Sequence, residues 1–295
     1  MRSGFVALAG RPNAGKSTLI NALVNEKIAI VSPKPQTTRS EIRGIVNTED
    51  AQIIFTDTPG IFKARHRLET RMNKEAATVI QGVDLIYLDT DGTKPFGAGD
   101  EYVLTMVKNA HLPVFLIFNK IDLMPKEEVL KNLTSWQERF AFDEFFPLSA
   151  LNQKNYDDLL STTISYLPEG EAMYPREVIS DSPENFRIAE IIREKILYCT
   201  EEEVPHACAV VIESKEFNKK GCDINAMILV EKPGQKAIVI GKQGSMLKKI
   251  GIAARKDIEQ FLGCHVRLTL FVRVEEDWRD IDSRISQYGY GHVDE

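Results

Sequence analysis

The stretch Gly10-Arg11-Pro12-Asn13-Ala14-Gly15-Lys16-Ser17 decides the fold of the first half of this chain. It matches the pattern G-x-x-x-x-G-K-S and stands between an apolar run, 5–9, and a segment with helical spacing, 18–24. Between a buried strand and a helix, the backbone N–H groups of such a loop face the phosphates of a nucleotide. We therefore predict that Lys16 reaches the β- and γ-phosphates and that the Ser17 hydroxyl binds Mg²⁺. The alternative is a glycine-rich turn that matches by chance.

Length and composition indicate a globular protein with room for two domains. The chain has 295 residues, of which 43% are hydrophobic and 27% are charged, as is usual for such proteins. Its net charge of -6 argues against a protein that coats nucleic acid through bulk charge. Any contact with nucleic acid must therefore come from a local basic patch.

The cysteines and the apolar runs indicate a cytoplasmic protein. The four cysteines lack C-x-x-C spacing and histidine partners, so we expect reduced thiols and not a metal site or disulfides. The apolar run 5–9 leads directly into the phosphate-binding loop, which predicts a strand and not a signal peptide. No stretch approaches the roughly 20 apolar residues of a membrane span.

A second motif follows the phosphate-binding loop. The Pro-, Ser- and Thr-rich segment 28–39 is predicted to be a mobile loop, and 41–47 and 51–56 are predicted to be paired strands. The second strand leads into Asp57-Thr58-Pro59-Gly60. At the tip of a buried strand, Asp57 can hold the water shell of a metal, and the Gly60 N–H is free for a γ-phosphate.

The base of the nucleotide is predicted from Asn119-Lys120-Ile121-Asp122, which ends an apolar strand at 114–118. A carboxylate at Asp122 can accept hydrogen bonds from N1–H and the exocyclic amine of guanine, whereas adenine offers neither donor. With ATP that carboxylate would stay unpaired, at a cost of about 1–3 kcal/mol or more. The site is therefore expected to select GTP, with Ser149-Ala150-Leu151 backing the guanine. A solvated Lys-Asp loop, and with it an ATPase, is the alternative.

Strands alternate with helices through this half, which predicts an α/β fold with a doubly wound, mostly parallel sheet and all motifs at the carboxyl ends of strands. The motifs over residues 10–151 resemble the Ras-like GTPase superfamily. The resemblance implies that a threonine of the mobile loop completes the Mg²⁺ shell, with Thr38 the better match and Thr37 its competitor. The predicted metal ligands are Ser17, Thr38 and Asp57. The predicted nucleotide-binding residues are Gly10, Asn13, Ala14, Gly15, Lys16, Ser17, Thr18, Asp57, Gly60, Asn119, Lys120, Asp122, Ser149, Ala150 and Leu151.

The catalytic residues are predicted to be Lys16, Thr38, Gly60 and Asn13. Ile61 stands where GTPases of the Ras kind have a water-orienting glutamine. Because its side chain cannot form hydrogen bonds, we expect slow intrinsic hydrolysis that is stimulated by something bound elsewhere. Asn13 resembles the asparagine with which some GTPases of this branch hold K⁺ against the phosphates. The alternative is an asparagine that stabilises the turn of its own loop.

A linker and a second domain are predicted next. We place the GTPase domain at 1–167, a proline-containing linker at 168–183, and a smaller α+β domain at 184–295. That domain is predicted to open with a helix near Glu184, capped by Ser182 or Asp181. Strands are predicted at 206–215 and 223–231, the second ending in a turn at 232–234.

The segment 237–251 contains Gly241-Lys242-Gln243-Gly244, a G-x-x-G turn that opens a helix. KH domains clamp single-stranded nucleic acid with this arrangement. From Lys236 to Lys256 there are six basic residues and no acidic one. A solvated basic helix face is the alternative, and RNA is favoured over DNA because of the linked GTPase. The predicted RNA-binding residues are Ile240, Gly241, Lys242, Gln243, Gly244, Ser245, Lys248 and Lys249.

The last part of the chain is predicted to contain a closing strand, 264–275, and an acidic tail. The tail holds seven acidic residues and two arginines, which argues against an RNA-binding arm. We expect Trp278, Tyr288 and Tyr290 to pack the tail onto the domain. Base stacking is the alternative.

The two domains together resemble the Era family, bacterial GTPases of small-ribosomal-subunit assembly. Besides the nucleotide motifs, the resemblance rests on the segments 35–39, 190–196, 239–244, 278–280 and 289–290. It implies binding of the 3′ end region of 16S rRNA and action on the 30S subunit, without a role for DNA. It also implies contact with the inner face of the cell membrane, which would be peripheral because the sequence shows no anchor. Nothing in the sequence requires more than a monomer.

Two hypotheses of function follow from these residues. In the first, GTP orders the loops around Thr38 and Gly60, the second domain takes RNA, and hydrolysis releases it. In the second, the chain is a signalling GTPase whose second domain binds a protein. The glycines of the G-x-x-G turn distinguish the two hypotheses, since only the first requires them.

Overall fold

The computed structural model describes residues 1–152 and 156–290, so residues 291–295 of the predicted tail lie outside the described residues. Its first sheet has six strands in the order β2-β3-β1-β4-β5-β6. The strands are β1 (Arg2–Gly10), β2 (Ile42–Asn47), β3 (Ala51–Asp57), β4 (Leu85–Asp91), β5 (Val114–Asn119) and β6 (Glu144–Pro147). The helices that accompany them are α1 (Lys16–Leu23), α2 (Arg67–Gln81), α3 (Ala98–Lys108), α4 (Lys126–Gln137) and α5 (Tyr156–Tyr166).

The central strand β1 explains why the sheet is doubly wound. Val6 to Ala9 are fully buried, because apolar clusters cover both faces of the sheet. β1 pairs in parallel with β3 and β4, and only β2 runs antiparallel. The predicted α/β fold with a mostly parallel sheet is confirmed. Since β1, β3 and β5 run the same way, the loops that follow them meet at one edge of the sheet.

The second half forms a smaller sheet of three strands, in the order β7-β8-β9, with helices packed on it. β8 pairs antiparallel with β7 and parallel with β9. The parallel pair needs a crossover, which α8 and α9 provide. The elements are α6 (Glu184–Cys199), α7 (Val204–Ala207), β7 (Ala209–Asn218), β8 (Gly221–Val230), α8 (Pro233–Ile240), α9 (Ser245–Leu262), β9 (Val266–Val274) and α10 (Asp282–Gln287).

The structure corrects local predictions in this half. The strand predicted from residue 206 begins at Ala209, because residues 204–207 form a helical turn. The turn predicted at 232–234 is instead the start of α8, with Pro233 at the first helical position, where a missing N–H costs nothing. Neither Ser182 nor Asp181 caps α6, which has Pro183 at the cap position. Asp181 instead accepts a hydrogen bond from the Tyr174 hydroxyl at 2.8 Å.

The predicted linker lies along the first sheet. The Ile179 carbonyl accepts a hydrogen bond from the Ile45 N–H at 2.8 Å, beside the edge strand β2. The Gln52 side chain accepts from the Tyr174 N–H at 2.9 Å. These contacts hold the linker to the nucleotide-binding half of the molecule.

The aromatic residues of the tail are packed, as predicted. Trp278 is 0% exposed, and Tyr288 and Tyr290 are also buried. They form a cluster with residues of both halves of the molecule, which include Leu68 and Met72 from α2. The tail therefore joins the two halves. Within the described residues, no helix is long and apolar enough to cross a membrane.

Candidate nucleotide-binding and RNA-binding sites

The phosphate-binding loop, residues 10–17, is shaped by its glycines. Gly15 has a φ of 123°, and a Cβ at this position would lie 2.3 Å from the Asn119 amide nitrogen. α1 begins at Lys16, so its first N–H groups point back toward the loop. The Lys16 ammonium is buried and donates to the carbonyls of Gly10 at 3.3 Å and Arg11 at 3.2 Å. It thus stands at the centre of the loop.

The three predicted metal ligands lie together. The Ser17 hydroxyl donates to Asp57 Oδ2 at 2.6 Å and lies 2.8 Å from Thr38 Oγ1, which is itself 3.2 Å from Asp57 Oδ2. Thr37 points elsewhere, since its hydroxyl donates to the Lys34 carbonyl at 2.7 Å. Asp57 Oδ1 is buried without a hydrogen-bond partner among the described residues. Two hydroxyls and a carboxylate oxygen are the hard donors that Mg²⁺ prefers, so these residues fit the ion.

A second buried carboxylate, Asp89, was missed by the sequence analysis. It lies near the end of β4, and its Oδ1 accepts from the Asn119 amide at 3.2 Å. Burial raises the pKa of Asp89 to about 7 and also raises the pKa of Asp57, while Lys16 opposes both shifts. Burial lowers the pKa of Lys16, against the attraction of the two carboxylates. An Asp at the end of an apolar strand was the available signal, but no motif contained it.

The predicted guanine-binding residues are brought to the neighbouring loop. Asn119 is buried, and its Oδ1 accepts from the Lys120 N–H at 2.8 Å and the Ala150 N–H at 3.0 Å. The Lys120 ammonium donates to the Asn13 carbonyl at 2.7 Å, which ties this loop to the phosphate-binding loop. Asp122 and Leu151 are exposed beside them. The arrangement leaves the Asp122 carboxylate open to a base.

Gly60 and Ile61 lie against the phosphate-binding loop. A Cβ on Gly60 would lie 2.8 Å from the Pro12 nitrogen, so no larger residue fits without a shift. Ile61 is 0% exposed, and its N–H donates to the Gly10 carbonyl at 3.1 Å. Asn13 has a φ of 63°, and its amide donates to the Pro33 carbonyl at 2.9 Å. Asn13 thus connects the phosphate-binding loop with the loop at 28–39.

The loop at 28–39 was predicted to be mobile, but it is held by the second half of the molecule. Arg39 is 1% exposed and donates to the carbonyls of Cys208 at 2.6 Å and Pro205 at 2.9 Å. Arg193 from α6 donates to the Thr37 carbonyl. Thr38 therefore lies between two residues that contact the second domain.

The segment 241–244 forms a turn that opens a helix, as predicted. Gly241 and Gly244 have φ values of 72° and 77°, which L side chains rarely adopt. A Cβ on Gly241 would also lie 2.8 Å from the Met246 nitrogen. α9 begins directly after the turn, and Lys242, Lys248 and Lys249 are exposed beside it. A groove of about 540 Å³ lies between α9 and β9.

Comparison with known proteins assigns both halves. Residues 5–120 match the family described as 50S ribosome-binding GTPase, and residues 203–279 match the KH domain family. The chain is 47% identical to the GTPase Era of Lacticaseibacillus paracasei, over 99% of this chain and 98% of that protein. It is also 47% identical to the GTPase Era of Clostridium kluyveri, over 98% of this chain and 99% of that one.

Solved structures agree with these matches. An Era variant from Aquifex aeolicus bound to GDP and AlF₄⁻ is 38% identical, with a TM-score of 0.95 over 98% of this chain and 99% of that chain. The same identity, TM-score and coverage are found for Era in complex with MgGDPNP and nucleotides 1506–1542 of 16S ribosomal RNA.

The fold and the two sites define a GTPase that carries a KH domain at its carboxyl-terminal side. The two GTPases named above match this chain over both domains and nearly their full length, which identifies a family more specifically than a match to either domain alone. The chain belongs to the Era family of GTPases.

Proposed function

We propose that this protein hydrolyses GTP with Mg²⁺ and binds the 3′ end region of 16S rRNA during assembly of the 30S subunit. The observation that carries the proposal is the convergence of Ser17, Thr38 and Asp57 at hydrogen-bonding distances beside Lys16. Era in complex with MgGDPNP and 16S rRNA nucleotides provides the second support. We further propose a monomer without a DNA partner, in the cytoplasm and in peripheral contact with the inner face of the membrane.

The roles of the residues follow from their positions. Mg²⁺, when bound, neutralises charge on the phosphates. Lys16 contributes the positive charge for the β- and γ-phosphates, and the N–H of Gly60 is available to the γ-phosphate. Asn13 is proposed to hold K⁺, with stabilisation of its own loop as the alternative. Ile61 cannot orient the attacking water, so hydrolysis without RNA is slow.

The RNA is proposed to lie over the G-x-x-G turn, on the residues predicted from the sequence. We propose domain borders at 1–167 and 184–295, with the linker between them. The turn lets a phosphate backbone approach, because neither glycine carries a side chain. The exposed lysines at 242, 248 and 249 supply the charge for the phosphates.

Matching RNA is expected to stimulate GTP hydrolysis. Hydrolysis is measured in potassium buffer with a single-stranded RNA that matches the 3′ end of the small-subunit rRNA, and with a scrambled RNA as control. Only the matching RNA should raise the rate, because it alone binds the KH domain. Gly241→Asp and Gly244→Asp should abolish this stimulation and leave GTP binding intact. RNA affinity unchanged in both variants would contradict the KH assignment and favour a protein partner.

Asp122→Asn is expected to change the base preference. An amide cannot accept both guanine donors, so GTP affinity should fall by about 1–3 kcal/mol, which is about five- to 150-fold. Xanthosine triphosphate should bind better to the variant than to the wild type. Glu127→Gln removes an exposed carboxylate from nearby α4 and serves as the control. If both variants bind GTP equally well, Asp122 does not read the base.

A further inference from the structure

A large cleft lies between the two domains, away from the groove of the KH domain. It has a volume of about 1200 Å³ and follows the segment directly after Gly60. Its apolar lining includes Phe62 from that segment and Tyr102 from α3, and Tyr102 is 47% exposed. The KH domain contributes His206 and Arg279. The cleft therefore joins the catalytic loop region to the second domain.

The charges of the cleft favour an anionic ligand. Lys63, Arg65 and Lys74 line it, are exposed, and form no ion pair within residues 1–152 and 156–290. Two acidic residues, Glu69 and Glu203, also line it. Glu69 is buried, and it already accepts hydrogen bonds from the Gln36 amide at 2.7 Å and the His66 N–H at 3.2 Å. Three cations thus face a single solvent-exposed carboxylate, on a chain whose net charge is -6.

A basic route connects this cleft with the G-x-x-G turn. α8 ends at that turn, and its 8 residues span about 12 Å. Lys232 is the cap residue that precedes α8, and its carbonyl accepts a hydrogen bond from the Lys236 N–H at 3.1 Å. α8 packs against α7, whose His206 lines the cleft. Glu231, which precedes Lys232, accepts from Arg279 Nη2 at 2.6 Å, and Arg279 also lines the cleft.

We propose that single-stranded RNA leaving the G-x-x-G turn follows Lys236 and Lys232 along α8 and enters this cleft. There the three unpaired cations bind its phosphates, and the rings of Phe62 and Tyr102 provide stacking surfaces for bases. This inference rests on the proposed binding of RNA by the KH domain.

Occupancy of the cleft would act on the nucleotide site through a short path. Ile61 lines the cleft and donates from its N–H to the Gly10 carbonyl in the phosphate-binding loop. Gln36 lines both the cleft and the nucleotide site, two residues from Thr38. RNA in the cleft therefore contacts the segments on either side of the γ-phosphate position, which gives a physical route for stimulation of hydrolysis.

The test compares a short RNA that fills only the KH groove with RNAs extended at the 5′ or the 3′ end. The cleft variant is Lys63→Glu/Lys74→Glu, and the route variant is Lys232→Glu/Lys236→Glu. The matched control is Lys126→Glu/Lys131→Glu on α4, which changes the charge equally on exposed lysines elsewhere. GDP affinity shows that the GTPase domain of each variant is folded, and binding of the short RNA shows that its KH domain is folded. Affinity is measured over a range of salt concentrations, together with basal and RNA-stimulated hydrolysis.

We expect the cleft variant to bind the short RNA like the wild type. It should bind one of the extended RNAs about tenfold more weakly or worse. The logarithm of that affinity should also fall less steeply with the logarithm of salt concentration, by about 0.7 for each phosphate that the variant no longer neutralises. Its basal hydrolysis should be unchanged, and that RNA should no longer stimulate it. The route variant should show the same fall in affinity for the extended RNA.

The opposite result would overturn the proposal: the cleft variant binds and responds to every extended RNA as the control variant does. The basic lining of the cleft would then be assigned to binding of a protein partner with an acidic segment. A failure of the proposed RNA binding by the KH domain gives a different result. In that case the wild-type chain would not bind the short RNA, or Gly241→Asp would bind it as well as the wild type does.

Discussion

Lys16→Ala is expected to abolish most GTP hydrolysis at saturating nucleotide and Mg²⁺. The ammonium is held in the centre of the phosphate-binding loop by the carbonyls of Gly10 and Arg11. It is 5% exposed, so its charge acts in a site from which water is largely excluded. Loss of one preorganised charge that stabilises a transition state costs about 10²–10³-fold in rate.

Single-turnover hydrolysis measures this effect separately from product release. Lys94→Ala is the matched control, because Lys94 also lines the nucleotide site but its side chain is 65% exposed. That variant should hydrolyse GTP at nearly the wild-type rate. Equal rates for the Lys16 and Lys94 variants would remove Lys16 from the catalytic residues. Nucleotide affinity, measured in parallel, shows how much of the effect of Lys16→Ala comes from weaker GTP binding and how much from the chemical step.

The nucleotide site could be predicted because its binding residues lie in short motifs of consecutive residues. The loop that contains Lys16, the segment that starts at Asp57 and the segment that starts at Asn119 each follow a buried strand. Once the strands are parallel, their carboxyl ends must meet at one edge of the sheet. The proximity of Ser17 and Asp57 follows from that topology, whereas Thr38, in the loop before the antiparallel strand β2, was predicted from the resemblance. The G-x-x-G turn was predictable because its two glycines and the helix that follows are adjacent in the sequence.

Contacts between distant parts of the chain were not predictable. Arg39 and Cys208 are separated by 169 residues, and no local spacing brings them together. α8 was missed because Pro233 and Gly234 are typical of turns, although Pro is also favoured at the first position of a helix. The predicted cap of α6 was wrong because Asp181 is bonded to Tyr174 and Arg43 instead. For Arg39 and Asp181 a tertiary contact decided the outcome, whereas at Pro233 two local preferences competed.

Arg193 on α6 belongs to this class of contacts, and it is buried in the contact between the two domains. It is 0% exposed, and it donates to Glu190 Oε1 at 2.7 Å and Oε2 at 2.5 Å, a two-point pair. Although burial opposes it, Glu190 holds the pKa of Arg193 above its ordinary value. The same guanidinium donates to the Thr37 carbonyl next to Thr38. One side chain thus supports both the domain contact and the loop of a predicted Mg²⁺ ligand.

Arg193→Ala is therefore expected to have the largest effect on stability. It leaves the Glu190 carboxylate, which is 5% exposed, without its partner, and breaking a buried pair in this way costs about 3–5 kcal/mol. Chemical denaturation of the full chain measures the decrease. Arg67→Ala is the control, because the Arg67 and Asp282 side chains that form this pair are 64% and 48% exposed, and such a pair contributes about 1 kcal/mol or less. Arg193→Lys should restore only part of the stability, since one ammonium cannot reproduce the two-point geometry. If Arg193→Ala is no less stable than the control variant, the buried pair does not stabilise the contact between the domains, and Arg39 is left as the side chain that ties the loop of Thr38 to the second domain.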